Sequence, residues 1–285
     1  MQQLVGTLKP RSVQGGLLAH LFMTLAAHRQ LLWQMAKREI RDRYAGQALG
    51  SLWAIGHPIF LMALYVFLFS YIFPSRTGVT DGAAGSMVVY ILAGLIPWLT
   101  FAESMSRGTS AILSEAGLVK QVVFPIEILP VKSVIAASLS QVVAMTMLLL
   151  YMLATESHLP LSVLLLPALF LLQIGLMIGV SYALSSLGVY FRDLKEIVQV
   201  FLSAGIFLAP ILYPASIVTK GAPLVATLFA LNPFSHLVWC YQDALYYGHV
   251  EHPLSWLVLT SSTPVILYLG YRIFRKLRVM FGEVL

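Results

Sequence analysis

VIAASLSQVVAMTMLLLYMLA, Val134 to Ala154, contains no charged residue, and Lys132 and Glu156 bound it. About twenty apolar residues in a helix are enough to cross the hydrocarbon core of a bilayer. The same signature recurs on both sides of this stretch. Spans are predicted at Leu52 to Phe73, at Met87 to Phe101 with a continuation toward Ile112, at Val163 to Leu187, at Ile197 to Leu212 and at Trp256 to Phe274. The predicted fold class is therefore all-α: a polytopic membrane protein with six transmembrane helices. Composition agrees, with 59% hydrophobic and 11% charged residues, more apolar surface than a soluble domain of this length can bury.

Charge sets the orientation. With six spans and both termini on one side, every one of the 18 Lys and Arg residues except Arg76 and Lys220 falls on that side. This is the positive-inside pattern of an inner-membrane protein with cytoplasmic ends. The net charge of +6 comes from basic residues that flank apolar spans, so the expected partners are anionic lipid headgroups and not nucleic acid. Leu17 to Ala27 is a short apolar run after Lys9 and Arg11. No clear small-x-small cleavage site follows it, and cleavage there would put the basic run Arg38 to Arg43 outside, so it is not read as a leader.

Three segments result: a cytoplasmic N-terminal segment over residues 1–47, the six-span domain over 48–274 and a cytoplasmic tail over 275–285. In the first, Leu32, Trp33, Ala36, Ile40 and Tyr44 share one helical face, and Lys37, Arg38 and Arg41 lie opposite. This predicts an amphipathic helix in the membrane interface with its basic side at the headgroups. Arg43 falls on the apolar side and would have to snorkel. An ordinary cytosolic helix is the alternative. Gly221 to Tyr241 carries no charge and is long enough for a seventh span, but that would move Arg272, Arg275, Lys276 and Arg278 to the other side. Short re-entrant helices within 213–250, broken at Asn232-Pro233, are the preferred reading. Such backbone is tolerated at membrane depth where protein or water covers it.

Familiar catalytic signatures are missing. There is no Gly-Lys dipeptide for a phosphate-cradling loop, no His-Glu-x-x-His, no Gly-x-Ser-x-Gly and no acidic Asp-Asp-x-x-Asp cluster. The lone Cys240 rules out an internal disulfide and a Cys-based metal cluster. The middles of spans one, three, four and five carry no charge, and Glu103 lies near the cytoplasmic half of span two, so no proton or ion relay is evident. Energy for any transport must then come from another subunit. The predicted docking element is the cytoplasmic loop 113–132, where Lys120, Phe124, Pro125 and Glu127 would face a soluble partner. A plain solvated connector is the bland alternative. Arg192 and Asp193 open a tight cytoplasmic turn before the fifth span, where Arg192 pairs across the turn or with a lipid headgroup. Gly175 and Gly179 allow close helix approach, more often within a chain than between chains. Among the aromatics of the outer boundary, Tyr65, Phe69, Tyr213 and Trp239 are candidates for stacking on sugar rings, although an interfacial belt uses the same residue types.

Taken in order, REIRDRYAGQALGSLW (Arg38 to Trp53), LAGLIPW (Leu92 to Trp98), LVKQVVFPIEILPVKSV (Leu118 to Val134), YFRDLKEIVQ (Tyr190 to Gln199), LAPILYP (Leu208 to Pro214) and LNPFSHLVWCYQDALYYG (Leu231 to Gly248) resemble the transmembrane subunit of type 2 ABC exporters of lipid-linked polysaccharide. That group exports O-antigen, capsule and teichoic acid. The resemblance implies a permease without catalytic residues or cofactors of its own, working as a homodimer with two ATP-binding cassette subunits that hold ATP and Mg. The implied cargo is a polysaccharide on undecaprenyl diphosphate, most readily O-antigen. Lys37, Arg38, Arg41, Arg43 and Arg192 would meet the headgroup diphosphate, and the four aromatics would line the glycan channel. One departure is Tyr241-Gln242, where the family often has Tyr-Arg. A type 2 exporter of a small drug or lipid, and a membrane-embedded prenyl or glycosyl transferase, are the alternatives. The matching motifs disfavour the first and the missing catalytic clusters the second.

Overall fold

The computed structural model of the chain describes residues 16–72, 86–121, 124–156, 159–213 and 223–284. Arg76 and Lys220 lie outside these residues, as do parts of the N-terminal segment, of the docking loop and of the 213–250 region. All regular structure among the described residues is helical. Twelve α-helices are used below: α1 (Leu17–Ala27), α2 (Arg29–Arg43), α3 (Trp53–Phe67), α4 (Met87–Thr109), α5 (Ala116–Gln121), α6 (Ile128–Glu156), α7 (Leu166–Tyr190), α8 (Leu194–Gly205), α9 (Pro223–Leu231), α10 (Pro233–Gln242), α11 (Pro253–Leu277) and α12 (Phe281–Val284).

Among the described residues, five helical stretches are long and apolar enough to cross a membrane: Trp53–Ile72, Met87–Thr109, Ile128–Glu156, Leu161–Tyr190 and Pro253–Met280. The hub is α4. Of its apolar stretch 83% is buried inside the chain, against 6% for the α3 stretch. It packs on α6, α7 and α10, so α4 reads as a core stave and α3 as an outlying one. Ser86 caps α4 through Val89 N–H at 3.4 Å, and its own N–H donates to Glu156 Oε1 at 3.0 Å. This ties the start of α4 to the end of α6.

The closest helix pair is α7 with α11. A Cβ on Gly270 would sit 1.9 Å from the Gly179 carbonyl oxygen, and one on Gly179 would sit 2.7 Å from the backbone of Ile266 and Leu267. Gly175 approaches the Thr263 methyl in the same seam. The small-residue pair thus serves packing within the chain, where close backbone approach brings more dispersion contact.

The fifth predicted span departs from a regular helix. Instead of a continuous helix over Ile197 to Leu212, α8 ends at Gly205 and turns follow to Tyr213. Gly205 lies against the Trp98 ring, and the Tyr90 hydroxyl donates to the Pro210 carbonyl at 3.2 Å. From Trp98 to Tyr90 is about 12 Å of helix, so this segment still climbs alongside α4 toward its start. Pro210 has no N–H with which to continue the helix, and where helical bonding has stopped a side chain satisfies its carbonyl: Gln242 Nε2 also donates to Pro210 O, at 2.9 Å.

The first and last described helices meet at one end of the bundle. Leu21, Leu32, Ile128, Leu129, Tyr182, Val189, Phe274 and Phe281 form a single apolar cluster. Both terminal segments at the same end fit an even number of crossings. We call this the basic end, and the opposite one the far end.

The face of α2 needs correction. Leu32 and Ala36 are buried against α6, but Trp33 is exposed, with the Lys37 ammonium 5.2 Å from its ring centre. The inward face continues through Glu39 and Arg43 rather than through Trp33, because oppositely charged side chains on α4 and α6 await them.

Candidate functional site

Two groups of charges join α2, α4 and α6 at the basic end. Arg43 forms an ion pair with Glu103, and its Nη1 donates to Ser140 Oγ at 3.1 Å. The expected snorkelling of Arg43 to headgroups is therefore corrected: its side chain is 15% exposed and turned into the protein. Glu103 also accepts Arg107 one turn further along α4, at 3.3 Å. Beside them, buried Lys132 donates to Glu115 Oε1 at 2.8 Å and lies 3.7 Å from Glu39 Oε2. A buried ammonium needs such partners to offset its desolvation.

Openings flank these charges. One, of about 450 Å³, lies between α2 and the ends of α4 and α6 and is lined by Arg38, Glu39, Asp42, Arg107 and Lys132 among others. A second polar cleft, also about 450 Å³, lies between Trp53 and His57 of α3 and Glu103, Ser106 and Arg107 of α4. An apolar groove of about 110 Å³ runs on between α3 and α4, past Pro58, Leu61, Leu95 and Leu99. The remaining basic candidates stay on the surface. Lys37, Arg38 and Arg41 are exposed on α2, where Arg38 meets Asp42 at 3.4 Å. Arg192 is exposed in the turn before α8, and among the described residues it has no ion-pair partner.

The candidates of loop 113–132 do not all face outward. Lys120 is exposed at the end of α5, and Phe124 is half-buried against the basic-end cluster. Glu127 is different: it is buried, pairs with Arg278, and its carbonyl accepts the Tyr182 hydroxyl at 2.7 Å. The expectation that its carboxylate faces a soluble partner is corrected, since Arg278 already occupies it.

The candidate aromatics occupy three different elements. Tyr65 and Phe69 stack on each other in the Trp53–Ile72 stretch, Tyr65 in α3 and Phe69 just beyond its end, with centroids 6.3 Å apart. The Tyr213 hydroxyl donates to Phe207 O, and its ring neighbours Phe229. Trp239 on α10 stacks on His252 at 5.4 Å. That ring is held by a residue absent from the predicted site: buried Asp243 accepts His252 Nδ1 at 2.7 Å, His252 N–H at 3.0 Å and Trp256 Nε1 at 3.0 Å. In the sequence, a lone Asp between Gln242 and Ala244 gives no signal of this.

Mid-bundle, three polar side chains close on one another. Gln141 donates to Gln173 Oε1 at 2.8 Å and to the Tyr241 oxygen at 3.1 Å, Tyr241 donates to Gln173 at 2.7 Å, and Gln173 Nε2 donates to the Pro97 carbonyl at 3.1 Å. All three residues are buried, so their polar atoms need one another.

Among the described residues, an all-helical bundle with buried ion pairs at one end and helices long and apolar enough to cross a membrane has the make-up of a polytopic membrane protein. The chain belongs to the ABC-2 type transporter family, which matches residues 30–246. It is 30% identical over 259 residues to an O-antigen export system permease protein, RfbA, of Myxococcus xanthus, covering 91% of this chain and 96% of that one. It is also similar to RfbA of Klebsiella pneumoniae, at 25% identity over 90% of this chain and 95% of that one. The polysialic acid transport protein KpsM of Escherichia coli is 27% identical over 84% of this chain and 90% of its own length. The resemblance read from the sequence motifs is thus shown at the level of the family and of polysaccharide-export permeases.

Proposed function

We propose that this chain is the permease subunit of an ATP-driven exporter that moves an undecaprenyl-diphosphate-linked polysaccharide, most readily an O-antigen, across the bacterial inner membrane. One observation carries the reading: nearly end-to-end similarity to O-antigen export permeases, in a chain whose described residues include five long apolar helices. In this reading two copies form the membrane unit and two ATP-binding cassette subunits supply ATP, Mg and hydrolysis. Both termini are cytoplasmic. That orientation puts the basic end at the cytoplasmic leaflet, as the charge asymmetry favours.

The parts then take roles. Lys120 and Phe124, with Pro125, meet the ATPase, while Glu127 holds that loop in place from behind. Exposed Lys37, Arg38, Arg41 and Arg192 attract anionic headgroups by charge. The helix pair α9–α10 enters from the outer side and turns back at Asn232-Pro233. Its geometry supports this: Phe234 touches Phe101 midway along α4, with centroids 4.0 Å apart, while Gln242 reaches Pro210 near the start of α4. Tyr65, Phe69, Tyr213 and Trp239 offer sugar rings weakly directional contact along the export path.

Affinity purification of the tagged chain from native membranes tests the assignment, with copurifying protein, lipid and glycan identified by mass spectrometry. An ATP-binding cassette protein and a polyprenyl-diphosphate glycan are expected. A small drug or a glycan-free lipid as the sole cargo would overturn the polysaccharide assignment.

A further inference from the structure

We propose that the polar cleft and the apolar groove on either side of Arg43 and Glu103 are one site, built for an amphiphile that carries a phosphate or diphosphate on a long apolar chain, with Arg107 as its main anion contact. This rests on the export reading and names where the cargo's lipid end is held.

The first argument is continuity. Arg43, Tyr44, His57 and Glu103 line both spaces. The cleft is polar and lies at the basic end. The groove leads away from it between α3 and α4, along the α4 side chains from Thr100 back to Leu92, about 12 Å of helix. A charged head with a hydrocarbon tail matches that sequence of surroundings. A free anion would leave the groove empty, and a plain hydrocarbon would leave the cleft unpaired.

The second argument is charge. Glu103 is one carboxylate between two guanidiniums, so one positive charge in the site is not balanced there. Arg43 is held by Glu103 and Ser140 and is 15% exposed; Arg107 has Glu103 alone at 3.3 Å and is 37% exposed. A half-exposed i,i+4 pair is weak. A phosphate offers the guanidinium fork two oxygens at once, so it can replace Glu103 at Arg107 while Glu103 stays on Arg43. The Ser106 hydroxyl at the cleft now donates to Gln199 at 3.3 Å, and His57 stands opposite; both add donors for phosphate oxygens. The third argument is access. The α3 wall is scarcely packed against its own chain, so a tail can enter the groove without opening a tight core.

The test uses the full-length chain purified in neutral detergent, with Trp53 emission as the reporter because that ring lines the cleft; Trp53→Phe locates the signal. The probes are farnesyl diphosphate, inorganic diphosphate, farnesol and phosphatidylglycerol. Farnesyl diphosphate is expected to bind at least tenfold more tightly than either half alone, with phosphatidylglycerol unable to displace it at equal concentration. Arg107→Gln should weaken binding about tenfold, and Glu103→Gln, which removes the internal competitor, should strengthen it. Ala54→Phe, which fills the groove, should weaken farnesyl diphosphate without changing inorganic diphosphate. Equal displacement by phosphatidylglycerol would make this a general lipid contact and overturn the proposal. Unchanged binding by Arg107→Gln at an unchanged unfolding midpoint would also overturn it. If Arg107→Gln does not fold, Arg107→Lys, which keeps the charge and loses the fork, takes its place with an intermediate affinity expected and an unchanged one overturning. Failure of the export reading looks different: cells lacking the chain would keep their surface polysaccharide whatever the purified protein binds.

Discussion

Glu127, in the turn after Pro125, pairs with Arg278 at the end of the last long helix, 151 residues away in sequence. The carboxylate side chain is 6% exposed and the guanidinium 39%. Removing Arg278 leaves a carboxylate buried without its cation, whereas removing both leaves none. Arg278→Ala should therefore cost about 2 kcal/mol, below the usual cost of breaking a fully buried pair because Arg278 is partly solvated. Glu127→Ala with Arg278→Ala should cost no more than Arg278→Ala alone. Thermal unfolding of the four purified proteins checks the cycle, and strictly additive losses would show that the pair does not act as a unit.

The docking role of the same loop is separable from its attachment. Lys120 is exposed and Phe124 only half-buried, so substitutions there should act on the partner more than on the fold. Phe124→Ala loses at most about 2 kcal/mol of apolar burial in total, and Lys120→Glu none that the fold depends on. Both should lower the amount of ATPase recovered with the permease at equal permease abundance. Full ATPase recovery with both variants would remove these residues from the interface.

The α7–α11 seam should tolerate no side chain. Gly270→Ala places a methyl 1.9 Å from the Gly179 carbonyl oxygen, so the helices must move apart. We expect at least about 2 kcal/mol of destabilisation, read as loss of folded protein in membranes. Gly117→Ala is the control. Nothing lies within 4 Å of its added Cβ, and alanine is the better helix former, so abundance should hold or rise.

If glycan slides past aromatic faces, no one ring should dominate. Ala at Tyr65, Phe69 or Tyr213 should each reduce export modestly and combine cumulatively. Trp239 should differ, because its ring is stacked on His252. Trp239→Ala should lower abundance as well, and Asp243→Asn, which weakens the anchor of His252, should reproduce part of that loss. Surface glycan normalised to permease abundance separates the two effects. A single ring that alone abolishes normalised export would contradict the sliding picture.

The helices were largely legible in the sequence because their signal is compositional: an uncharged run of bilayer length needs no tertiary context. The break at Asn232-Pro233 was legible for a local reason. Asn232 caps α10 through Phe234 N–H at 3.0 Å, and Pro233 takes the first helical position. What escaped depends on partners distant in the chain. Arg43 lies on an apolar face of α2 and reads as a snorkelling cation until Glu103 is found opposite it. Glu127 reads as a loop carboxylate until Arg278 arrives beside it. The fifth predicted span is apolar throughout, yet hydropathy carries no information about Gln242, whose amide satisfies the Pro210 carbonyl beyond the end of α8.

Reconstitution tests the central claim most directly. The permease and its copurified ATPase are placed in proteoliposomes with polyprenyl-diphosphate glycan accessible from the ATPase side, and glycan on the opposite face is measured with and without ATP and Mg. The account predicts transfer that requires ATP, Mg and both subunits. Intact, correctly assembled complexes that hydrolyse ATP yet move no glycan, or glycan that crosses equally well without ATP, would contradict it.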